Sequence, residues 1–300
     1  METHTLSPKL SNLLSSFVVF ARDIKIAHSI FAIPFAASAI IFANIEIPTS
    51  IKMILLIVAM VSARSFAMGM NRFLDRKIDI ANPRTANRMI PAGKISPNQC
   101  LAWSVTNAII FILAAFSLSK LAGYLAIPLL LILMSYSLFK KFSWTTHYYL
   151  GLCLGLAPVA VQIALTGTVT LPIVLLGAAI MFWTAGFDIL YSLQDIDFDK
   201  LKKLYSIPAK FGPKVSLTIS RLSFTVMISL LILLGVTSKA GLIYYLGLTA
   251  ISGVLVYEQW LVRDAKTNGQ SKNINAAFFT SNAWVSVVFF CFSLLDNLRG

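Results

Sequence analysis

The chain has 300 residues, 57% of them hydrophobic and only 12% charged, with a net charge of +13 and a mean hydropathy of +0.79. An ordinary soluble domain carries about 25% charged residues, and single soluble cores stop growing near this length. The composition excludes a water-soluble enzyme, a disordered chain and a disulfide-stapled secreted module, and describes an all-α, polytopic membrane protein.

In chain order, residues 1–20 read as a cytoplasmic N-terminal segment of a single integral-membrane domain covering 1–300. A cleavable signal peptide is not expected, because Arg22, Asp23 and Lys25 sit at the mouth of the first long apolar run and no small-residue cleavage site follows. A hydrocarbon core of about 30 Å needs roughly 20 apolar residues per helix. Nine spans meet that need, near 26–45, 51–70, 101–119, 121–138, 148–166, 171–190, 216–236, 241–261 and 276–295. Helices are expected throughout, since lipid cannot satisfy exposed backbone N–H and C=O groups. Short connections carry glycine or proline, as at Gly123 and from Gly167 to Pro172, whereas 71–99 and 192–214 are long and charged.

The basic residues report topology. One side holds three in the N-terminal segment, six in 71–99, Lys140 and Lys141, five in 192–214 and three in 261–275, while the other side holds Lys52, Lys120, Lys239 and Arg299. By the positive-inside rule the basic side is cytoplasmic, which suits a multi-pass protein of the bacterial inner membrane with its N-terminus and both charged segments inside. No basic stripe is interleaved with base-stacking aromatics, so no nucleic-acid partner is expected. Cys100, Cys153 and Cys291 show no paired spacing and read as packing residues.

Acidic residues are scarce, and five of the 12 fall in two clusters, Asp75 and Asp79, then Asp188, Asp195 and Asp199. On a helix, Asn71, Asp75 and Asp79 recur every four residues and share a face, as do Asp188, Tyr191, Asp195 and Asp199. Carboxylates one turn apart can share a divalent cation, and magnesium takes one or two of them and completes its octahedron with water and phosphate oxygens. Two such pairs on one membrane side suit a diphosphate, with Arg72, Arg76, Arg84, Arg88, Lys94, Lys202 and Lys203 nearby. Arg64 and Asp188 each lie two turns deeper on their motif's face. A charge within a span is a functional hypothesis by default, so the two suggest a pocket for a second, polar substrate; the alternative is an Arg64–Asp188 ion pair joining two helices.

These motifs resemble the UbiA superfamily of intramembrane aromatic prenyltransferases, whose members carry Asn-x-x-x-Asp-x-x-x-Asp followed later by Asp-x-x-x-Asp. The tail Arg84-Thr-Ala-Asn-Arg88-Met-Ile-Pro91-Ala-Gly93 is similar to the family's continuation of the first motif, and Ser206 and Phe211-Gly212 follow the second at family-like spacing. Arg72 departs from the Asp that many members have, as in the quinone branches, and Lys203 replaces a common Gly. The resemblance implies transfer of a polyprenyl group from polyprenyl diphosphate to a small aromatic acid in the bilayer, with magnesium as cofactor. It implies metal ligands at Asn71, Asp75, Asp79, Asp195 and Asp199, and diphosphate contacts from Arg72, Arg84, Arg88, Lys25, Lys140 and Lys141. Arg64 and Asp188 would bind the acceptor, with Tyr191 beside them in the catalytic group.

Lys140-Lys141 has a second explanation in topology alone. His28 reads as structural, His147 as an interfacial histidine, and Arg221 and Glu258 as a possible cross-helix pair. The run from His28 through Pro34 resembles members acting on 4-hydroxybenzoate and on naphthoate precursors of menaquinone; the first is favoured. A secondary transporter is the rival from another class, but its ionisable residues belong near the midplane on broken helices, and these carboxylates cluster at the cytoplasmic mouth. A CDP-alcohol phosphotransferase would need a continuous Asp-Gly motif that this chain lacks.

Overall fold

A computed structural model describes residues 8–26, 33–266 and 282–299, and all regular structure among them is helical. The helices are α1 (Pro8–Asp23), α2 (Ile33–Phe42), α3 (Ser50–Ala81), α4 (Pro97–Leu118), α5 (Lys120–Phe139), α6 (Thr146–Thr166), α7 (Leu171–Ser192), α8 (Ile196–Leu201), α9 (Ile207–Thr237), α10 (Leu242–Leu261) and α11 (Asn282–Asn297). Six of them, α3, α4, α5, α6, the α7–α8 run and α9, are long and apolar enough to cross a membrane. The three other expected spans fall on α2 and α11, which are shorter within the described residues, and on α10, where Glu258 and Gln259 break the apolar run. His28, most of 261–275 and the starts of two expected spans lie outside the described residues.

Helix α3 explains where the chemistry sits. Thr49 caps its start by accepting from Lys52 N–H, and it continues unbroken for 32 residues. At 1.5 Å per residue that is about 48 Å, well beyond a hydrocarbon core of about 30 Å. The helix is therefore long enough to extend past an apolar core, and its last turns carry Asn71, Asp75 and Asp79 on continuous helix. Residues 71–81 are helix rather than the loop expected there.

The chain then turns tightly to Ser96, which forms a capping box with Gln99 and starts α4 with Pro97 in its first turn. Ser119 ends α4 and caps α5, accepting from Ala122 N–H. Between α9's start at Ile207 and its main body the axis breaks at Gly212, whose φ of 77° is open to glycine, and Pro213 follows without an N–H to donate.

Packing centres on α7, which is far more deeply buried than any of the other five candidate spans. It joins α2, α9, α10 and α11 in one core, including Phe35, Trp183, Phe224 and Phe289, while α3, α4 and α5 form a second around Phe66, Phe111 and Leu130. Helices α6 and α7 touch backbone to backbone: a Cβ at Gly155 would collide with the Gly177 carbonyl, and one at Gly151 with that of Met181. The outward faces keep Ile54, Ile109, Leu113, Leu131 and Leu222 exposed, as a lipid-facing surface requires.

Gly241 cannot cap α10 with a side chain, and the Asp296 carboxylate of α11 does so instead, accepting from Gly241 N–H at 2.7 Å and Tyr244 N–H at 3.3 Å. Asp296→Ala is expected to cost about 1 kcal/mol, the usual worth of an N-cap, read as a lowered melting midpoint in detergent; an unchanged midpoint would discount this cap. Arg221 donates to Gln259 Oε1 at 3.1 Å, so the expected Arg221–Glu258 pair is not formed.

Candidate active site

The last turns of α3 set out the first acidic pair. Asp75 is wholly buried; its Oδ2 accepts from Asn71 Nδ2 at 2.8 Å and from Lys140 Nζ at 2.6 Å, and its Oδ1 has no hydrogen-bond partner among the described residues. One turn on, both oxygens of Asp79 accept from Arg88 Nη1, at 2.8 and 2.9 Å. Asn71 also donates to Ser137 of α5 and accepts from Arg72 Nη1. Arg72 Nε is in turn held by Asp23 Oδ2 at 2.8 Å, and Asp23 Oδ1 accepts from Met89 N–H.

The second acidic segment is not one continuous helix. α7 ends at Ser192, a 3₁₀ turn covers Leu193–Asp195, and α8 then carries Asp199. Asp195 accepts from Arg84 through both Nε and Nη2, and Asn82 Nδ2 adds a 3.2 Å bond. Arg84 Nη1 also donates to the Tyr191 hydroxyl at 3.1 Å. Burial works against the Arg84 charge, but the hydrogen bonds and charge of Asp195, with Tyr191, outweigh it and hold the guanidinium above its ordinary range. Asp199 Oδ2 accepts from the Ser206 hydroxyl at 2.8 Å.

The two acidic segments thus belong to one site, although Arg84 and Asp195 are 111 residues apart in sequence. The Lys140 carbonyl accepts from Tyr205 N–H at 2.7 Å, fastening α5 to the segment after α8. Lys25 lies in the same field: burial, with repulsion from Arg72 and Arg88, holds its ammonium below the ordinary lysine range despite Asp23. Lys141 is exposed one residue beyond Lys140.

Among the described residues no three His, Cys, Asp or Glu side chains are grouped tightly enough to hold a metal ion by themselves. The donors available are amide and carboxylate oxygens in pairs, the set that suits magnesium completed by water and phosphate. The buried, unpartnered Oδ1 of Asp75 is an acceptor awaiting a partner. The residues fit the ion.

Residues 31–283 match the UbiA prenyltransferase family. The chain belongs to that family. Its curated relatives include 4-hydroxybenzoate octaprenyltransferase of Tolumonas auensis, 26% identical over 84% of this chain and 86% of the relative. The protein of the same name from Nitrosococcus oceani is 31% identical over 79% of this chain and 82% of the relative. Among solved structures, the apo UbiA homologue from Aeropyrum pernix aligns with a TM-score of 0.81 at 29% identity, over 90% of this chain and 98% of that one. A UbiA homologue from Archaeoglobus fulgidus bound to GPP and Mg2+ shares the fold, with a TM-score of 0.68 at 18% identity over 93% of this chain and 99% of that one.

Within this UbiA-family chain, the deeper residues sit apart from one another. Arg64 Nη1 donates to the Ile24 and Lys25 carbonyls, both at 3.3 Å, and Asp188 Oδ2 meets His147 Nδ1 at 2.7 Å. The alternative Arg64–Asp188 ion pair is therefore absent. His147 is 2% exposed, not interfacial. Sequence reasoning passed over Asp23, Asn82, Ser137 and His147 as site residues. Only Asp23, an acid at the mouth of an apolar run, gave a signal that could have been followed.

Proposed function

We propose that this protein is a magnesium-dependent aromatic prenyltransferase that moves a polyprenyl group from its diphosphate to the ring carbon ortho to the phenol of 4-hydroxybenzoate, a step of quinone biosynthesis. The observation that carries the reading is the meeting of two acidic segments with Arg84, Arg88 and Lys140 in one site. The names of the curated relatives supply the acceptor. The topology that goes with it is a single domain over 1–300 with nine passes in a bacterial inner membrane, its N-terminus and both acidic segments cytoplasmic; the surplus of Lys and Arg on that side supports it.

In this mechanism Asn71, Asp75, Asp79, Asp195 and Asp199 hold magnesium, which when bound neutralises charge developing on the departing diphosphate. Arg84, Arg88, Lys140, Lys25 and Lys141 hold the diphosphate oxygens, and Arg72 adds its charge while its nitrogens stay on Asp23 and Asn71. The allylic C–O bond breaks with its electron pair leaving on the diphosphate. The cation left behind is attacked by the ring carbon ortho to the phenol, and the ring proton is then lost. Arg64 binds the acceptor carboxylate, and Asp188 and Tyr191 orient the phenol, with Asp188 placed to take the proton. Preorganised charge of this kind is usually the largest catalytic term.

Arg64→Ala is expected to raise the KM for the aromatic acid about tenfold, the worth of one charged hydrogen bond, with the KM for prenyl diphosphate nearly unchanged. Equal increases in both would remove Arg64 from the acceptor side. The reaction itself is tested with purified protein in detergent or liposomes, offered geranyl diphosphate with 4-hydroxybenzoate or a dihydroxynaphthoate, with and without magnesium. Prenylated 4-hydroxybenzoate that requires magnesium, read by mass spectrometry, is the expected product. Preference for the naphthoate would move the step to the menaquinone branch. No product from either acid, with both substrates shown to bind, would reject the acceptor assignment.

A further inference from the structure

One buried imidazole joins three helices. His147 stands in the first turn of α6; its Nδ1 lies 2.7 Å from Asp188 Oδ2 of α7, and its Nε2 accepts from the Ile207 N–H of α9 at 3.2 Å. The second bond decides the state of the ring. A backbone N–H can only donate, so Nε2 must carry a lone pair, and the proton of the neutral ring is then on Nδ1, pointing at the Asp188 carboxylate. The carboxylate that the ring holds remains available: the Asp188 side chain is 22% exposed, and its Oδ1 makes no hydrogen bond among the described residues.

The same ring reaches towards the metal-binding segment. Ile207 follows Ser206, whose hydroxyl donates to Asp199 Oδ2 and accepts from Ala209 N–H. A chain of bonds therefore runs from Asp199 through Ser206 and the adjoining Ile207 amide to His147 and Asp188. A loss of register at the start of α9 would disturb both acidic groups together.

We propose that His147, locked as its Nδ1–H tautomer, is a positioning residue that aims the Asp188 carboxylate at the aromatic acceptor. This rests on the acceptor-side reading of Asp188 given above. His147 touches no substrate; it fixes the rotamer of the group that does, and ties that group to the segment bearing Asp199. Misplacing a reacting group by about 1 Å can cost on the order of 100-fold in rate.

The test uses the full chain in detergent with geranyl diphosphate and 4-hydroxybenzoate. His147→Phe is expected to lower kcat/KM for the acid on the order of 100-fold, the cost of a misplaced reacting group, and to change KM for geranyl diphosphate much less, since Asp188 loses its only donor among the described residues whereas Asp199 keeps the Ser206 hydroxyl. His147→Asn places an amide N–H near the position of Nδ1–H and is expected to recover most of that loss. Asp188→Asn and the double variant with His147→Phe should be equally impaired, because both substitutions disable one unit. Equal loss in both substrates' parameters, with a matching fall in melting midpoint and no recovery in His147→Asn, would reduce His147 to a structural residue and overturn the proposal. So would full activity of His147→Phe.

A spectroscopic arm separates this from the reaction assignment. The chain has three histidines, so ¹⁵N-histidine spectra of wild type and His147→Phe identify His147 by difference. A protonated Nδ1 and an unprotonated Nε2 are expected, with a shift in Asp188→Asn. A protonated Nε2 would overturn the proposal even in active enzyme. Wild type inactive towards the acid would sink the acceptor assignment, and the spectrum would still judge the His147–Asp188 clamp.

Discussion

Asp75→Ala is expected to lower prenyl transfer by at least about 10³-fold, some 4 kcal/mol of barrier at 1.36 kcal/mol per decade, while the protein still inserts in membranes. Asp75 is fully buried, one of its oxygens binds Lys140 and Asn71, and the other has no partner among the described residues. Removing the carboxylate deletes a proposed metal ligand and also frees Lys140, turning an ion pair into an uncompensated cation in partly buried surroundings. The second effect can cost stability by itself, so Asp195→Ala serves as the companion variant. Its carboxylate is more exposed and is bound by Arg84 rather than Lys140. Both variants should fall to the same low activity and be insensitive to added magnesium. Near-normal turnover in either, at wild-type yield, would sink the metal assignment.

Arg84→Gln is expected to cost about 10²–10³-fold in kcat/KM for the prenyl diphosphate, the range seen when one preorganised donor to a developing anion is lost. Arg84 spans the site: two of its nitrogens bind Asp195 and the third binds the Tyr191 hydroxyl, while its backbone N–H donates to Asn82. Three directed donors in a planar fork cannot be reproduced by one ammonium. Arg84→Lys should therefore recover little of the loss, which distinguishes geometry from charge. If the lysine variant restores most of the rate, Arg84 serves only as a positive charge near the diphosphate. Steady-state kinetics varying prenyl diphosphate and acceptor separately would decide between the two.

The one-face reading of Asn71, Asp75 and Asp79 needed only helical periodicity, and α3 supplies it because nothing in 50–81 breaks the helix. The second motif read equally well as one face, yet a 3₁₀ turn interrupts it at Leu193–Asp195. No glycine or proline stands there to signal the break. What periodicity could not provide was pairing. The sequence holds many cations near five aspartates, and only the fold determines that Lys140 meets Asp75, Arg88 meets Asp79 and Arg84 meets Asp195. His147 was illegible for a related reason. A lone histidine at the start of an apolar span looks the same whether it faces the headgroups or is enclosed, and it is the packing of α6 against α7, with Ile207 of α9 bonded to the ring, that encloses it.

Helices α6 and α7 run antiparallel, so His147 near the start of one and Asp188 near the end of the other share the same end of the pair. Their seam is the glycine contact further down, where Gly155 and Gly177 leave no room for even a methyl group. Gly155 is about 12 Å along the axis from His147, and Gly177 about 16 Å from Asp188, at 1.5 Å per residue. The seam acts as the fulcrum of a lever: a methyl inserted there would splay the arms and widen the gap that the imidazole spans. Acceptor preference is therefore open to redesign at two distances, at the side chains around the ring and at the glycine seam well away from them.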